Sequence, residues 1–288
     1  LYGDEPYQTA LEFARHMQKQ AQDIGASRAL AMCTLFIGTA EYFQGRFHDA
    51  LSNLSKAREL YARLEAFAGE ATSLQRMGVV ATALGRLNEA RDYLHEGLRI
   101  AERAMMKPHC LVRLYATLGR NRMEAGDYAG VREAVEAGLA VEANHGLCVT
   151  CNVMLYPIST MGFAVNGDMA KARFYAVKAE ESAKAFGSHL FLGLTYQAQG
   201  MLYGLLEQWD SAFDKLKQAK KEFQAIRQDY EIARSDLFRA FVLMRRGQPK
   251  DYLTASRLVA GALPIFIKLG AETMIAQARS AFKQMRTL

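Results

Sequence analysis

The chain has 288 residues, 50% of them apolar and 23% charged, with a net charge of +6. That length suits one large domain or two small ones, with room for a sizeable core. Only 22 Gly and 5 Pro exclude a disordered or collagen-like chain, and abundant Ala, Leu, Glu, Arg and Lys favours helix.

In chain order, the first residues, Leu1 to Pro6, show no signal-peptide pattern and no Met. Further domains of the same polypeptide are therefore expected outside this segment. A leading helix is expected over residues 6–25. One pattern then recurs: a small residue, seven residues later a Gly–polar–bulky turn, and three residues after that an Ala or Val. It appears as Gly38 with Gly45-Arg46-Phe47 and Ala50, then as Gly78 with Gly85-Arg86-Leu87 and Ala90. Next come Gly119 with Gly126-Asp127-Tyr128 and Val131, and Thr160 with Gly167-Asp168-Met169 and Ala172. Gly200 with Glu207-Gln208-Trp209 and Ala212 follows, and the last copy is Ala240 with Gly247-Gln248-Pro249. The turn positions are spaced by 40, 41, 41, 40 and 40 residues.

Six helix pairs follow from this, over 26–66, 67–106, 107–146, 147–187, 188–227 and 228–270, with a capping helix over 271–288. In each first helix apolar residues recur at three and four, as in Leu30, Met32, Leu35, Ile37 and Tyr42. The turn Gly ends that helix at little steric cost. In each second helix Ala57, Gly97, Gly138, Ala179 and Ala219 let neighbours approach, while Leu54, Leu94, Val135 and Leu216 fill the space between. No linker interrupts the series, so residues 1–288 are expected to form one domain of about fourteen helices.

Few features break the regularity. Pro157 stands in mid-helix, where it removes a backbone hydrogen bond and should kink the helix. Trp209 takes the turn position held by Phe47 and Tyr128 and reads as packing. The longest nearly apolar run, Leu258 to Ile267, is ten residues long, too short to cross a membrane. Most of the net positive charge lies between Ser211 and Lys250. A solvated helix face explains it better than a nucleic-acid surface.

No phosphate loop, His-Glu-x-x-His pattern or nucleophile elbow occurs, so neither an enzyme nor a cofactor is expected. The chemistry-bearing residues gather around the third and fourth repeats. Cys148-Val149-Thr150-Cys151 opens the first helix of the fourth repeat, just after His145. His109 and Cys110 open the equivalent helix one repeat earlier. Cys110 and Cys151 are then expected about 10 Å apart, the spacing of packed helices. Cys148 and Cys151 share one helix face, and a thiol at a helix N-terminus is lowered in pKa. His109, Cys110, His145, Cys148 and Cys151 could thus bind a soft metal or sense oxidants. They serve equally as small apolar packing groups, because four cysteines form no disulfide framework and indicate a reducing, cytoplasmic compartment.

The recurring unit resembles the tetratricopeptide repeat (TPR), most closely in Met77-Gly78 with Gly85-Arg86-Leu87-Asn88-Glu89-Ala90 and in Leu118-Gly119 with Gly126-Asp127-Tyr128. The period of about 40 exceeds the usual 34. In that it is similar to the long-helix repeats of bacterial signal-transduction ATPases and LuxR-type regulators. Ala262 to Ala271 is also similar to the tail of such regulators. The resemblance implies an all-α right-handed superhelix whose first helices line a concave groove. The groove positions it implies include Gln75, Arg113, Arg120, Met123, Met154, Met161, Gln197, Met201, Arg234 and Phe241, with small residues at Ala164 and Gly204. A Met-rich, arginine-studded groove would take a protein, peptide or small-molecule ligand, as the sensor of a larger regulator or as a passive scaffold.

Overall fold

The computed structural model describes residues 7–146 and 148–286, the side chain of residue 286 apart. Parts of four sequence-based assignments, Leu1 to Pro6, Leu147, Thr287 and Leu288, lie outside the described residues. Among the described residues there are fourteen α-helices. A leading helix, α1 (Tyr7–Asp23), precedes six pairs. These are α2 (Ser27–Phe43) with α3 (Phe47–Arg63), α4 (Phe67–Ala83) with α5 (Leu87–Ala101), and α6 (Lys107–Glu124) with α7 (Tyr128–His145). Then come α8 (Val149–Val165) with α9 (Met169–Phe186), α10 (His189–Leu205) with α11 (Trp209–Ala225), and α12 (Asp229–Arg246) with α13 (Pro249–Leu269). The last helix is α14 (Glu272–Arg286). Where one domain was expected, contacts divide the chain into two compact units, one ending at Cys151 and the other starting at Asn152.

Turn chemistry sets the pairs. All six turn positions have positive φ, from 59° at Glu207 to 82° at Gly167. At five of them the chain closes a Schellman motif. At Gly85, for example, the Arg86 N–H bonds the Ala81 carbonyl at 2.9 Å and the Gly85 N–H bonds the Thr82 carbonyl at 3.0 Å. The links between pairs use the same left-handed residue at Gly25, Glu65, Gly146, Gly187, Arg227 and Gly270. The link from α5 to α6 departs from this, running through Glu102 to Met106, with Met105 fully exposed.

Three pairs, α2–α3, α4–α5 and α10–α11, are held by a small residue against a large one. A Cβ on Gly38, Gly78 or Gly200 would lie 2.8, 2.6 or 2.5 Å from the side chain of Leu54, Leu94 or Leu216. Those leucines, seven residues into the second helix, are 0–1% exposed. Each such burial stabilises by about 1.5–3 kcal/mol. Where Thr160 replaces the glycine, the leucine register position is held by the smaller Ala176, and both are buried. Trp209 packs beside Ala212, Leu216 and Val242, as expected of a structural residue.

Helix α8 runs from Val149 to Val165 with Pro157 inside it. Pro157 is buried, and its neighbours Ser159 and Thr160 bond the carbonyls of Leu155 and Tyr156 at 2.8 and 2.9 Å. At 21 residues α13 exceeds the apolar run read from the sequence and is long and apolar enough, by length and composition, to cross a membrane. The helix is longer than the run because Pro249 starts it and a capping box of Gln248 and Asp251 closes its first turn. Its Ala255, Val259, Ala262 and Phe266, spaced at three and four, are buried at 0–1% exposure, the one-sided pattern of a core helix.

The small-against-large contact is testable by double substitution. Gly78→Thr is expected to destabilise by about 1–3 kcal/mol through overpacking. Gly78→Thr with Leu94→Ala should cost less than the sum of the two single changes, by about 1 kcal/mol or more. Urea unfolding midpoints measure this, and strict additivity would refute the contact.

Candidate functional site

The groove positions separate into two sets. Gln75, Gln197 and Arg234 are buried, which corrects their placement in the groove. Gln75 donates from Nε2 to Thr117 Oγ1 at 2.6 Å, joining α4 to α6. Asn121 continues that polar ladder, donating to Thr82 Oγ1 and the Leu87 carbonyl at 3.1 Å each. Gln197 makes the same kind of link from α10 to α12, to Ser235 Oγ at 3.0 Å and the Glu231 carbonyl at 3.2 Å. Arg234 pairs with Glu231 at 3.2 Å, both side chains under a tenth exposed. Gln75, Asn121 and Gln197 thus link neighbouring first helices, while the Arg234–Glu231 pair lies within α12. Gly204 likewise leaves no ligand space, because a Cβ there would meet Val242 at 2.8 Å. Ala164 is buried too.

The second set reaches the surface. In the second unit Met154 and Met161 of α8, Met201 of α10 and Phe241 of α12 are half-buried, as are their register neighbours Leu194 and Met244. They stand on helices whose other residues are mostly buried. In the first unit Arg113, Arg120 and Met123 of α6 are half-buried. Arg76 of α4, which the register rule passes over by one residue, joins them. Burial, and then the charge of Arg113, push its guanidinium down to about 9.

A recess of about 310 Å³ lies instead on the α9–α10 side of the second unit, lined by residues including Arg173, Glu180, Lys184, Gln199 and Tyr203. Glu180 organises its polar wall. Its carboxylate accepts from Gln199 at 2.8 Å and from Lys215 at 3.0 Å, and pairs with Lys184 at 2.8 Å. Burial works to raise the pKa of Glu180, but the bonds from Lys184, Gln199 and Lys215 outweigh it and hold the group at about 2. Lys215, read from the sequence as solvated charge, is tied here, and Lys220 is tied to Asp236 at 2.7 Å.

The thiols gather in the first unit. Cys148 stands immediately before α8, and its sulfur accepts the backbone N–H of Cys151, as an N-cap side chain does. The two sulfurs are 3.0 Å apart. His109, in the first turn of α6, brings Nδ1 to 2.9 Å from Cys151 Sγ and 3.1 Å from Cys148 Sγ. Cys148 is half-buried and Cys151 buried. Arg113 donates to Thr150 Oγ1 at 3.0 Å beside them. Burial works to raise the Cys148 thiol, but hydrogen bonds from Thr150 and Cys151 and the charge of Arg113 bring it below its ordinary value. Burial, with the bond to Cys148, pushes Cys151 up to about 12. Burial, then Arg113, lowers the His109 imidazole.

Of the five residues read from the sequence, the described side chains bring together three: His109, Cys148 and Cys151. Cys110 and His145 stay apart from them. Cys110 is buried one residue further round α6, and His145 is exposed at the end of α7. The reason is rotation: consecutive helix residues point about 100° apart, so His109 and Cys110 cannot both face the pair. Thr150 and Arg113, which tune the thiols, were legible only as neighbours in sequence or register.

Comparison with known proteins gives the fold. Residues 30–103 match the family model described as tetratricopeptide repeat. No curated protein gives a match to the sequence. Among solved structures, a chain of the APC/C hetero-tetramer Cut9–Hcn1 is similar at 16% identity and a TM-score of 0.62, over 93% of this chain and 46% of that one. The Signal Transduction ATPase with Numerous Domains of Pyrococcus horikoshii, a protein with a tetratricopeptide repeat sensor, is similar at 16% identity and a TM-score of 0.55. That match covers 98% of this chain and 45% of the other, so the chain spans just under half the length of these two proteins. The Rap conjugation gene regulator of plasmid pLS20, in complex with the Phr* peptide, is similar at 13% identity and a TM-score of 0.61, over 93% of this chain and 77% of that one.

Two expected outcomes follow from the site. Under iodoacetamide at neutral pH Cys148 is expected to be alkylated before Cys33, Cys110 and Cys151, since its lowered pKa leaves more thiolate. Peptide mapping reads the order, and earlier labelling of Cys151 would refute the assignment. Glu180→Gln is expected to lower stability at pH 7. Because the folded pKa is depressed, that difference should vanish as pH falls from about 4.5 towards about 2. Thermal melts across that range check it. The turns, the paired helices and the match over residues 30–103 agree, and the chain has the fold of a tetratricopeptide-repeat solenoid.

Proposed function

We propose that the chain is a non-catalytic recognition module, the peptide-sensing repeat region of a larger bacterial signalling or transcription regulator. One observation carries this reading. Met154, Met161, Leu194, Met201, Phe241 and Met244 remain half-exposed at repeating register positions of α8, α10 and α12. Met201 also packs against the buried Ala212, Leu216 and Val242, yet each member of the row keeps part of its side chain at the surface. Thioethers adapt to varied partners, so such a row suits side chains of an extended peptide.

The class of occupant is taken from a protein of the same fold, the Rap regulator solved with its peptide. The buried positions Gln75, Gln197 and Arg234 are left out of this surface. A passive protein–protein scaffold would use the same row with no downstream response.

A random peptide library displayed on phage, panned against the chain, tests the proposal. Enriched peptides are expected to carry apolar residues. Met154→Asp and Met201→Asp should each weaken a selected peptide at least about tenfold, a loss of about 1.4 kcal/mol. Selected peptides that bind both aspartate variants as well as the parent chain would overturn the assignment of the row.

A further inference from the structure

The strongest unassigned cluster is the one at the start of α8. Three donor atoms of two chemical types, from two different helices, converge there, and all three belong to the first unit. We infer that His109 Nδ1, Cys148 Sγ and Cys151 Sγ form a binding site for a soft or borderline transition-metal ion of the zinc class, with three protein ligands and one open coordination position. This inference is independent of the peptide-binding reading.

The geometry supports it in three ways. The donor atoms form a nearly equilateral triangle with edges of 2.9, 3.0 and 3.1 Å. Tetrahedral bonds of about 2.3 Å to sulfur and about 2.0–2.1 Å to nitrogen would set such atoms about 3.6–3.8 Å apart. Each atom then moves outward by only about 0.4 Å, within reach of small side-chain rotations. Two thiolates and one imidazole are also the donor set such ions select over the oxygen-loving cations.

Second, the spacing holds the pair in place. Cys148 and Cys151 are three apart at a helix start, so both sulfurs lie on one side of the first turn. His109 closes the set from α6, and its helix is fixed by the packing of α6 on α7 and α4.

Third, polar groups back the sulfurs: Arg113 donates to Thr150 Oγ1 at 3.0 Å, and that hydroxyl lies 3.2 Å from Cys148 Sγ. Cys110, on the same helix as His109, is outside the triangle. The half-buried Cys148 marks the side from which an ion and a fourth ligand would enter.

The test uses the full chain, reduced, stripped with a chelator and kept anaerobic. Cobalt(II) is titrated in, followed by zinc(II). One equivalent of cobalt is expected to give a thiolate-to-cobalt charge-transfer band, which zinc then removes. Cys148→Ser, Cys151→Ser and His109→Ala should each weaken binding at least about tenfold, since even outer-shell changes cost 10–100-fold. Cys33→Ser and Cys110→Ser should leave it unchanged. Circular dichroism checks that each variant is folded. As a readout on the unaltered chain, zinc should slow iodoacetamide labelling of Cys148. No band at one equivalent, equal binding by the Cys148→Ser and Cys151→Ser variants, or recovery of the pair only as a disulfide that takes up no cobalt would overturn the inference.

Discussion

The structure depends on how closely the two helices of a pair approach. Gly38, Gly78 and Gly200 present bare backbone to Leu54, Leu94 and Leu216, and the gap admits no further carbon. A short turn joins each of these pairs: the left-handed turn residue, with its Schellman bonds, ends one helix as the next begins. The same turn joins α8 to α9, where Thr160 stands in place of the glycine. A bulkier residue at the contact would separate the helices, and a longer turn would let them slide.

Once the pairs are fixed, the first helices have little freedom. Their sides carry buried polar groups, and Gln75, Thr117, Thr82 and Asn121 bond one another from α4 to α6. Gln197 and Ser235 do the same from α10 to α12. The methionine row stays half-buried on the same helices. The thiol cluster arises from the same geometry. Helix α6 holds His109 in its first turn, and the N-cap of α8 sets Cys148 and Cys151 against it.

The regular features were legible because each is local and repeated. The six turn positions and the small residues or Thr160 seven before them lie where the 40-residue register puts them, as do Leu54, Leu94 and Leu216 nine after three of them. The apolar run Leu258 to Ile267 is only part of α13, which starts earlier, at Pro249, behind a cap of Gln248 and Asp251.

The sequence by itself determined the helix pairs, their turns and the neighbourhood in which the chemistry lies. A periodic pattern of small and large residues specifies these through local backbone preferences and nearest-neighbour packing. Only the tertiary structure decided which groove residues are matched within the core and which reach the surface. It also decided that His109, rather than Cys110 or His145, faces the cysteine pair. Those outcomes turn on about 100° of rotation per residue and a few ångströms between helices. Register fixes a position along a helix to within a residue, and one residue is enough to turn a side chain from the groove into the core.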